Sequence, residues 1–545
     1  MLNILVIIPA RGGSKGIPRK NLRSMNGKPL IFYAIDCARN STYKPDIFVT
    51  SDDEEILMLA KKFGAYIHVR PSYLADDYVT LDPVIYEAYK SITEEKQKNY
   101  DIIITLQPTS PLLKSSSLDT AISKMIQDHR VDTIISAVRE THLSWIKEGE
   151  KFVPTYKKRL NRQQADPVFK ETGGFLIARS SNISSESRIG KNTELYLLSN
   201  GEEINIDTYE DWSTCEFLMK RKKILFVVIG GGSRGLGHVY RALIIANQIY
   251  EHELYFLVLS GSDVAHDKIS EYNYNVHLAK TDNILDDIKR INPDLIVNDI
   301  LDTSFEYTLA LKKLGIKIIN FEDTGEGIKN ADIVINALYP QKYIVNNMFS
   351  GHEYFCARDE FLYAGRKQIA KEVRAILITF GGTDENNLTQ KVLRSIYNYC
   401  IDQNIKMRVI AGLAYPHYES LGSFAEIEVI KNTRKISEYM LDSDIIFTSA
   451  GRTVYEIACL GTPTIVIAQN NRELTHYFAH PEYGFINLGL GERVEEKEIL
   501  KTFRDLLDSY SLRIVMQVRM FKNDLTNRKK RVISVIKNLL ASENL

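Results

Sequence analysis

The alternation of short β-branched runs with amphipathic segments along the 545-residue chain predicts an α/β protein built on parallel sheets covered by helices. Two further observations set the number of modules. The chain is longer than one hydrophobic core usually serves. Three glycine turns, within residues 12–16, 230–237 and 381–382, each follow an apolar run and open a helical stretch. Three nucleotide-fold units are therefore expected, with ligands at the loops beyond the carboxyl ends of the strands.

The elements follow in order. "ILVIIPA" (4–10), "DIFVTSD" (46–52), "IIITLQP" (102–108) and "DTIISAV" (132–138) are short β-branched runs and predict buried strands. Between them "PLIFYAIDCARN" (29–40), "EEILMLAKKFG" (54–64) and "LDTAISKMIQD" (118–128) carry helical spacing. Across residues 139–175 the pattern weakens into an irregular polar stretch rich in Arg and Gln, until "GGFLIA" (173–178) resumes strand character. "EDWSTCEFLMKRKK" (210–223) reads as a closing helix, and "KILFVVIGGGSRGLGHVYRALIIANQI" (223–249) starts again with strand, glycine turn and helix. A boundary in "LMKRKK" follows, giving domains 1–220, 223–345 and 346–545, the last opened by "AILITFGGTDENN" (375–387).

Composition excludes some functions. The 69 basic and 69 acidic residues cancel, so no global field draws the chain to nucleic acid or anionic membrane, and any anion site must be local. The five cysteines form no CxxC pair and read as reduced packing residues. No stretch reaches the roughly 18 to 20 apolar residues of a membrane-spanning helix. A soluble, cytoplasmic protein is expected.

"IPARGGSKGIPRKN" (8–21) fits neither GxxxxGK[ST] nor GxGxxG. It still suits a polyphosphate. Gly12, Gly13 and Gly16 let backbone amides converge on an anion, and Arg11, Lys15, Arg19 and Lys20 supply charge. With "RPSYLADD" (70–77), "LQPTSPL" (106–112), "RQQADPVFKETGGFLI" (162–177) and "INIDTYEDW" (204–212), this stretch resembles the CMP-sialic acid synthetase family, the acylneuraminate cytidylyltransferases, over residues 1–218. The resemblance implies a Rossmann-like nucleotidyltransferase domain that uses CTP and a nonulosonic acid. It implies that Ala10, Arg11, Gly12, Gly13, Ser14 and Lys15 wrap the triphosphate and that Asn21 reads cytosine. It implies Arg70 and Asp77 near the nucleotide, Gln107 at the sugar acid, and Arg162 with Gln163 near the acceptor carboxylate. Arg11, Lys15 and Asp207 would be the catalytic groups of this half.

The same resemblance implies magnesium. The family commonly carries Asp-x-Asp near the end of this domain, whereas this chain has Asn205-Ile206-Asp207. Alternate residues on a strand share a face, and an Asn carbonyl can ligate magnesium with one negative charge fewer. Asp207 is the expected ligand, with Asn205 beside it. "ETGGFLI" stands where relatives read Asn-Gly, which marks a different acyl or hydroxyl pattern on the sugar. The stretch 139–165 resembles the dimerising arm of the synthetases, which implies a homodimer through the N-terminal domain.

In the second half, Gly232-x-x-Gly235-x-Gly237 does not fit the dinucleotide fingerprint. His238, directly after the last glycine at a helix start, is placed to act as a base. "GLGHVYRA", "PDLIVND", "ITFGGTDENN" and "TSAGRTVYEIACLGTPTIVIAQNNRE" resemble the UDP-sugar hydrolase of pseudaminic acid biosynthesis and its spore-coat polysaccharide relatives over residues 223–500, implying a two-lobed GT-B-like module. This implies that Gly381, Gly382 and Thr383 hold the UDP diphosphate and that Thr453 and Glu456 lie by the uridine. His238, following Gly237, would activate water at the anomeric carbon, with Asn470 or Asn471 assisting. The expected protein is bifunctional: it transfers CMP from CTP to a nonulosonic acid and hydrolyses a UDP-amino-sugar. For the second half, a glycosyltransferase or a noncatalytic nucleotide-sugar binding or assembly module remain alternatives.

Overall fold

The computed structural model describes residues 2–76, 78–161, 163–164, 167–199, 201–231, 235–281, 283–340, 346–412, 415–431 and 433–541. They divide into two compact units, Met1–Arg221 and Lys222–Leu545. The architecture is α/β throughout.

In the first unit, β1 (Ile4–Pro9), β2 (Asp46–Ser51), β3 (Tyr66–Val69), β4 (Ile102–Leu106), β5 (Thr133–Glu140), β6 (Val168–Arg179) and β7 (Thr193–Leu197) form one sheet. Their order is β7–β5–β6–β4–β1–β2–β3. Neighbours are parallel except at β6, which runs antiparallel to β4 and β5. The apolar run at the N-terminus becomes a central strand because both faces are covered. Val6 and Ile8 pack with Ile31, Ala34, Ile35, Leu118 and Ile122 on one side, and Leu5 and Ile7 with Ile85, Ala88 and Ile92 on the other. Each such aliphatic side chain contributes about 1.5–3 kcal/mol on full burial. The sheet order turns between β1 and β4, which opens a crevice at their carboxyl ends.

Two features differ from the sequence reading. Residues expected to be irregular hold an antiparallel hairpin, Trp145–Glu148 with Lys151–Pro154, turning at Gly149 (φ 61) and exposing Trp145, Ile146 and Phe152. Its strands are too short for period-two alternation to stand out from the polar residues around them. Further on, the β5–β6 register slips between Glu171 and Leu176, across Gly173 and Gly174. A bulge there bends the strand, as glycines inside a strand often signal.

The second unit has two parallel sheets. β8 (Lys223–Val228), β9 (Glu253–Val258), β10 (Asn275–Leu278), β11 (Leu295–Asp299), β12 (Lys317–Phe321), β13 (Ile333–Asn336) and β14 (Met348–Ser350) run in the order β10–β9–β8–β11–β12–β13–β14. β15 (Ala375–Thr379), β16 (Lys406–Ala411), β17 (Ile427–Lys431), β18 (Ile445–Thr448), β19 (Thr464–Ala468) and β20 (Phe485–Leu490) run as β17–β16–β15–β18–β19–β20. This is the two-lobed, GT-B-like arrangement expected. The division expected at residues 345/346 differs from the packing, however. β14 belongs to the first lobe's sheet, and the helix Arg528–Ala541 returns to place Val532 and Ile536 in that lobe's core with Ile224, Phe226 and Val228.

All five cysteines are free. Burial pushes the thiols of Cys37, Cys215, Cys400 and Cys459 up to about 12, as suits packing residues. No helix among the described residues is long and apolar enough to cross a membrane.

Candidate functional site

The crevice of the first unit gathers Arg11, Ser14, Lys20 and Asn21 from the first loop, Arg70 and Asp76 from the stretch after β3, Gln107 from the end of β4, and Asn205 with Asp207. Leu74, Val79, Leu81 and Val84 form an apolar wall. Asn21 sits in a one-turn helix, Lys20–Leu22, is buried, and donates from Nδ2 to the Arg11 carbonyl at 3.0 Å. That bond fixes the loop's turn and leaves the amide oxygen of Asn21 as its remaining acceptor. Arg70 is buried and donates from Nη2 to the Thr50 carbonyl at 2.9 Å. Burial pushes its guanidinium below its ordinary value, which raises the gain from meeting an anion there.

Asp207 is held from its backbone. Thr208 caps the helix Tyr209–Met219 in a capping box with Asp211, and Asp211 also accepts from the Asp207 amide at 3.0 Å. The Asp207 side chain is therefore presented outward, 70% exposed, with Lys20 Nζ 3.4 Å from Oδ1 and 2.6 Å from the Ile206 carbonyl. Asn205 donates from Nδ2 to Asp207 Oδ2 at 3.1 Å, while its Oδ1 is buried without a hydrogen-bond partner. A Cβ on Gly173 would lie 2.5 Å from that oxygen and 3.2 Å from Gln107 Oε1, so the bulge glycine gives both amides their room. Among the described residues no three His, Cys, Asp or Glu side chains converge as a metal cage. One carboxylate and one orphaned amide oxygen fit a hard cation that takes its other ligands from phosphate and water, as magnesium does.

In the second unit a cleft between the lobes has two compartments. One is lined by Tyr240, Arg358, Ile410, Thr433, Ile436 and Glu456. The other holds His238, Arg241, Glu322, Tyr339, Asn470 and Glu473. Both share a waist of Gly235, Gly237, Gly381, Gly382, Arg452 and Thr453. The lobes meet at glycine, since a Cβ on Gly382 would come within 3.0 Å of Gly235 Cα.

His238 is the second residue of the helix Gly237–Ala246 and holds Asp299 Oδ1 through Nδ1 at 2.5 Å. A carboxylate only accepts, so the neutral imidazole donates from Nδ1 and Nε2 keeps its lone pair for a ligand. Asp299, at the end of β11, also accepts from Arg241 Nε at 2.7 Å, and Arg241 Nη1 reaches Glu322 Oε1 at 3.0 Å. Burial alone would raise the Asp299 carboxyl, but Arg241 and His238 hold it below its ordinary value. On the facing lobe Glu473 accepts from the Gln469 amide at 2.8 Å, and burial pushes its carboxyl up to about 7.

The cytidylyltransferase family model matches residues 5–217. A pseudaminic acid cytidylyltransferase of Campylobacter jejuni is 33% identical over 223 residues, which cover 40% of this chain and 96% of that protein. The chain belongs to the cytidylyltransferase family. A Helicobacter pylori protein named pseudaminic acid cytidylyltransferase and UDP-2,4-diacetamido-2,4,6-trideoxy-beta-L-altropyranose hydrolase is 23% identical over 531 residues, 93% of this chain and 95% of that one. An uncharacterized protein of Methanocaldococcus jannaschii is 32% identical over 280 residues; these are 47% of this chain and span only 57% of that protein's length.

Within the cytidylyltransferase unit the crevice brings together Arg11, Ser14, Asn21, Arg70, Gln107, Asn205 and Asp207. Asp77 and Arg162 lie outside the described residues. Ala10 is buried, and Gly13, Lys15 and Gln163 lie exposed outside the lining. Two expectations for the loop need correction. The Gly12 amide does not face an open anion site but donates to Asp52 Oδ1 at 3.0 Å, and a Cβ there would lie 2.7 Å from Asp53 Oδ2. Arg19 turns away to Asp53 at 2.7 Å and to Glu55, so Lys20 and not its neighbour Arg19 joins Arg11 in lining the crevice.

In the second unit Gly237, His238, Gly381, Gly382, Thr383, Thr453, Glu456 and Asn470 line the cleft, and Asn471 does not. Asn470 spends its side-chain oxygen capping the turn Asn471–Leu474, and Glu456 is paired with Arg358 Nε at 3.0 Å. Sequence reasoning missed Asp299, Arg241, Glu322 and Glu473, whereas Lys20, named as a loop cation, does line the crevice. For Asp299 the signal was present: an acid closing the strand "LIVND" at the carboxyl edge of a parallel sheet.

Proposed function

We propose that the first unit transfers CMP from CTP to the anomeric hydroxyl of a nonulosonic acid, and that the second unit hydrolyses a UDP-amino-sugar. The observation that carries the first half is the convergence of Arg11, Asn21, Arg70, Gln107 and Asp207 on one crevice in a chain of this family. Arg11 and Ser14 would take the phosphates, Lys15 would close over them from the loop rim, and Asn21 would read the base. Gln107 would orient the sugar acid, with Arg162 and Gln163 at its carboxylate. The sugar's anomeric hydroxyl gives its proton to water as its oxygen attacks the α-phosphorus, the bond to the β-phosphate oxygen breaks, and pyrophosphate leaves with those electrons. Magnesium, held by Asp207 with Asn205, would supply neutralisation of phosphate charge. The name of the Campylobacter relative supports pseudaminic acid as the acceptor.

For the second half, the His238–Asp299 pair carries the reading. Asp299 orients the ring, Nε2 takes a proton from water, the water oxygen bonds to the anomeric carbon, and UDP departs with the glycosidic electrons. The waist suits the diphosphate, which would meet Gly381, Gly382 and Thr383 and the first amides of the helix Thr453–Leu460. Glu456, steadied by Arg358, has an oxygen free of that pairing to accept from a ribose hydroxyl. The full-length likeness to the Helicobacter protein supports joining both activities in one chain.

Magnesium-dependent pyrophosphate release from CTP, measured across a panel of nine-carbon sugar acids, tests the first activity. UDP release from UDP-amino-sugars with water as sole acceptor tests the second; a requirement for a second sugar would favour transfer instead. The exposed Trp145, Ile146 and Phe152 of the hairpin support a homodimer. Phe152→Glu should shift the sedimentation coefficient to that of a monomer, and an unchanged value would remove the hairpin from the interface.

A further inference from the structure

Leu301 stands out in the second unit. Its φ is 71, and among the described non-glycine residues with positive φ it alone is apolar, the others being Asn, Asp, Glu, Gln, Lys or Arg. Glycine, or failing that Asn or Asp, would take that conformation at less cost, and a bulky aliphatic residue there is strained. Packing does not account for it. Ile300 joins a hydrophobic cluster of this lobe, whereas Leu301 is in none of those formed by the described residues. Its side chain lines the His238 compartment instead, together with Leu338, Tyr339 and Phe380.

The loop that strains Leu301 is functional at both ends. Asp299, two residues earlier, holds His238, and Asp302, one residue later, receives Arg472 of the facing lobe at 3.1 Å. Leu301 is therefore fixed in the compartment that His238 lines and outside the compartment that contains Glu456. Strain kept at such a place points to a role for the side chain it presents.

We infer that Leu301 reads a methyl group on the glycosyl ring of the bound UDP-sugar and selects methyl-bearing sugars over their hydroxylated counterparts. This rests on the reading of the second unit as a UDP-sugar site. A methyl group can come from a 6-deoxy carbon or from an acetamido group, and both would gain from leaving water against the same apolar wall. A hydroxyl set against Leu301 would give up water and gain no hydrogen bond from that side chain.

Displacement of a fluorescent UDP analogue from the full chain gives affinities whether or not hydrolysis occurs. UDP-glucose is compared with UDP-6-deoxyglucose for the first source, and with UDP-N-acetylglucosamine for the second. The wild-type protein should prefer the methyl-bearing member of at least one pair by roughly tenfold, the scale of one methyl group in an apolar pocket. Leu301→Gly and Leu301→Asn should bring that ratio near one and leave UDP affinity unchanged. Leu301→Gly should also raise the melting temperature by relieving the backbone. A wild-type ratio near one, or a ratio retained in both variants, overturns the inference, as does a lower melting temperature in both. Failure of UDP itself to displace the probe would overturn the nucleotide-sugar reading beneath it.

Discussion

Gly173→Ala tests the acceptor end of the first unit's crevice by adding one methyl group. The new Cβ would sit 2.5 Å from Asn205 Oδ1 and 3.2 Å from Gln107 Oε1. Carbon and oxygen settle near 3.3 Å or more, so Asn205 must move by roughly 0.8 Å while Gln107 needs only a slight shift. Both are side-chain ends at the crevice, so the displacement should cost little stability. It should cost catalysis much more, because a misplacement of about 1 Å can lose on the order of 100-fold in rate. The assay is coupled pyrophosphate release, with magnesium and sugar acid varied in turn. We expect a higher magnesium concentration for half-maximal rate from the displaced Asn205, a kcat lower by about 10- to 100-fold, and a modestly raised KM for the acid from Gln107. Gly174→Ala is the control, since its Cβ would meet Ser136 Oγ at 3.1 Å and Leu198 Cδ1 at 3.2 Å instead. Normal kinetics in Gly173→Ala, or an equal loss in both variants, would refute the placement of Gln107 at the acceptor with Asn205 at the metal beside it.

Asp299→Asn removes the charge that orients His238 and leaves Arg241 with Glu322 alone; UDP release should fall by about 10³ to 10⁴ with UDP binding retained, and an unaltered rate would dismiss the pair. Asn205→Asp should lower the magnesium concentration for half-maximal CMP transfer by adding a second carboxylate beside Asp207, whereas an unchanged requirement would remove residue 205 from the metal. Glu473 gives a pH signature: its carboxyl titrates near 7 in the fold against an ordinary 4.5. The folded state thus binds more protons between those values, and stability is lost as pH rises through that window. Glu473→Gln should therefore gain in melting temperature relative to wild type between pH 5 and 8 (about where the window lies), and a pH-independent difference would contradict the buried, protonated carboxyl.

Much of the fold was legible because it depends on local pattern. β1 and β8 are runs such as Leu5–Ile8 and Ile224–Val228 with no polar residue, as strands covered on both faces require. The glycine turns likewise marked where strands end. Contacts made far along the chain were not legible. His238 was singled out, but its partner lies 61 residues on, and nothing in "LIVND" says which side chain that acid meets. Charge count also misled in the first loop. Arg19 and Lys20 are adjacent and equally basic, yet one pairs with Asp53 and Glu55 and the other lines the crevice, because Arg19 takes a left-handed φ of 56 that splits their directions. The helix Arg528–Ala541 has an amphipathic pattern that demands a core without naming which lobe supplies it.

A structure of the full chain with CTP and magnesium tests the central claim most directly. The account predicts triphosphate density against Arg11 and Ser14, cytosine at Asn21, and the metal at Asp207. Nucleotide density at another place, with this crevice empty under saturating CTP, would contradict it.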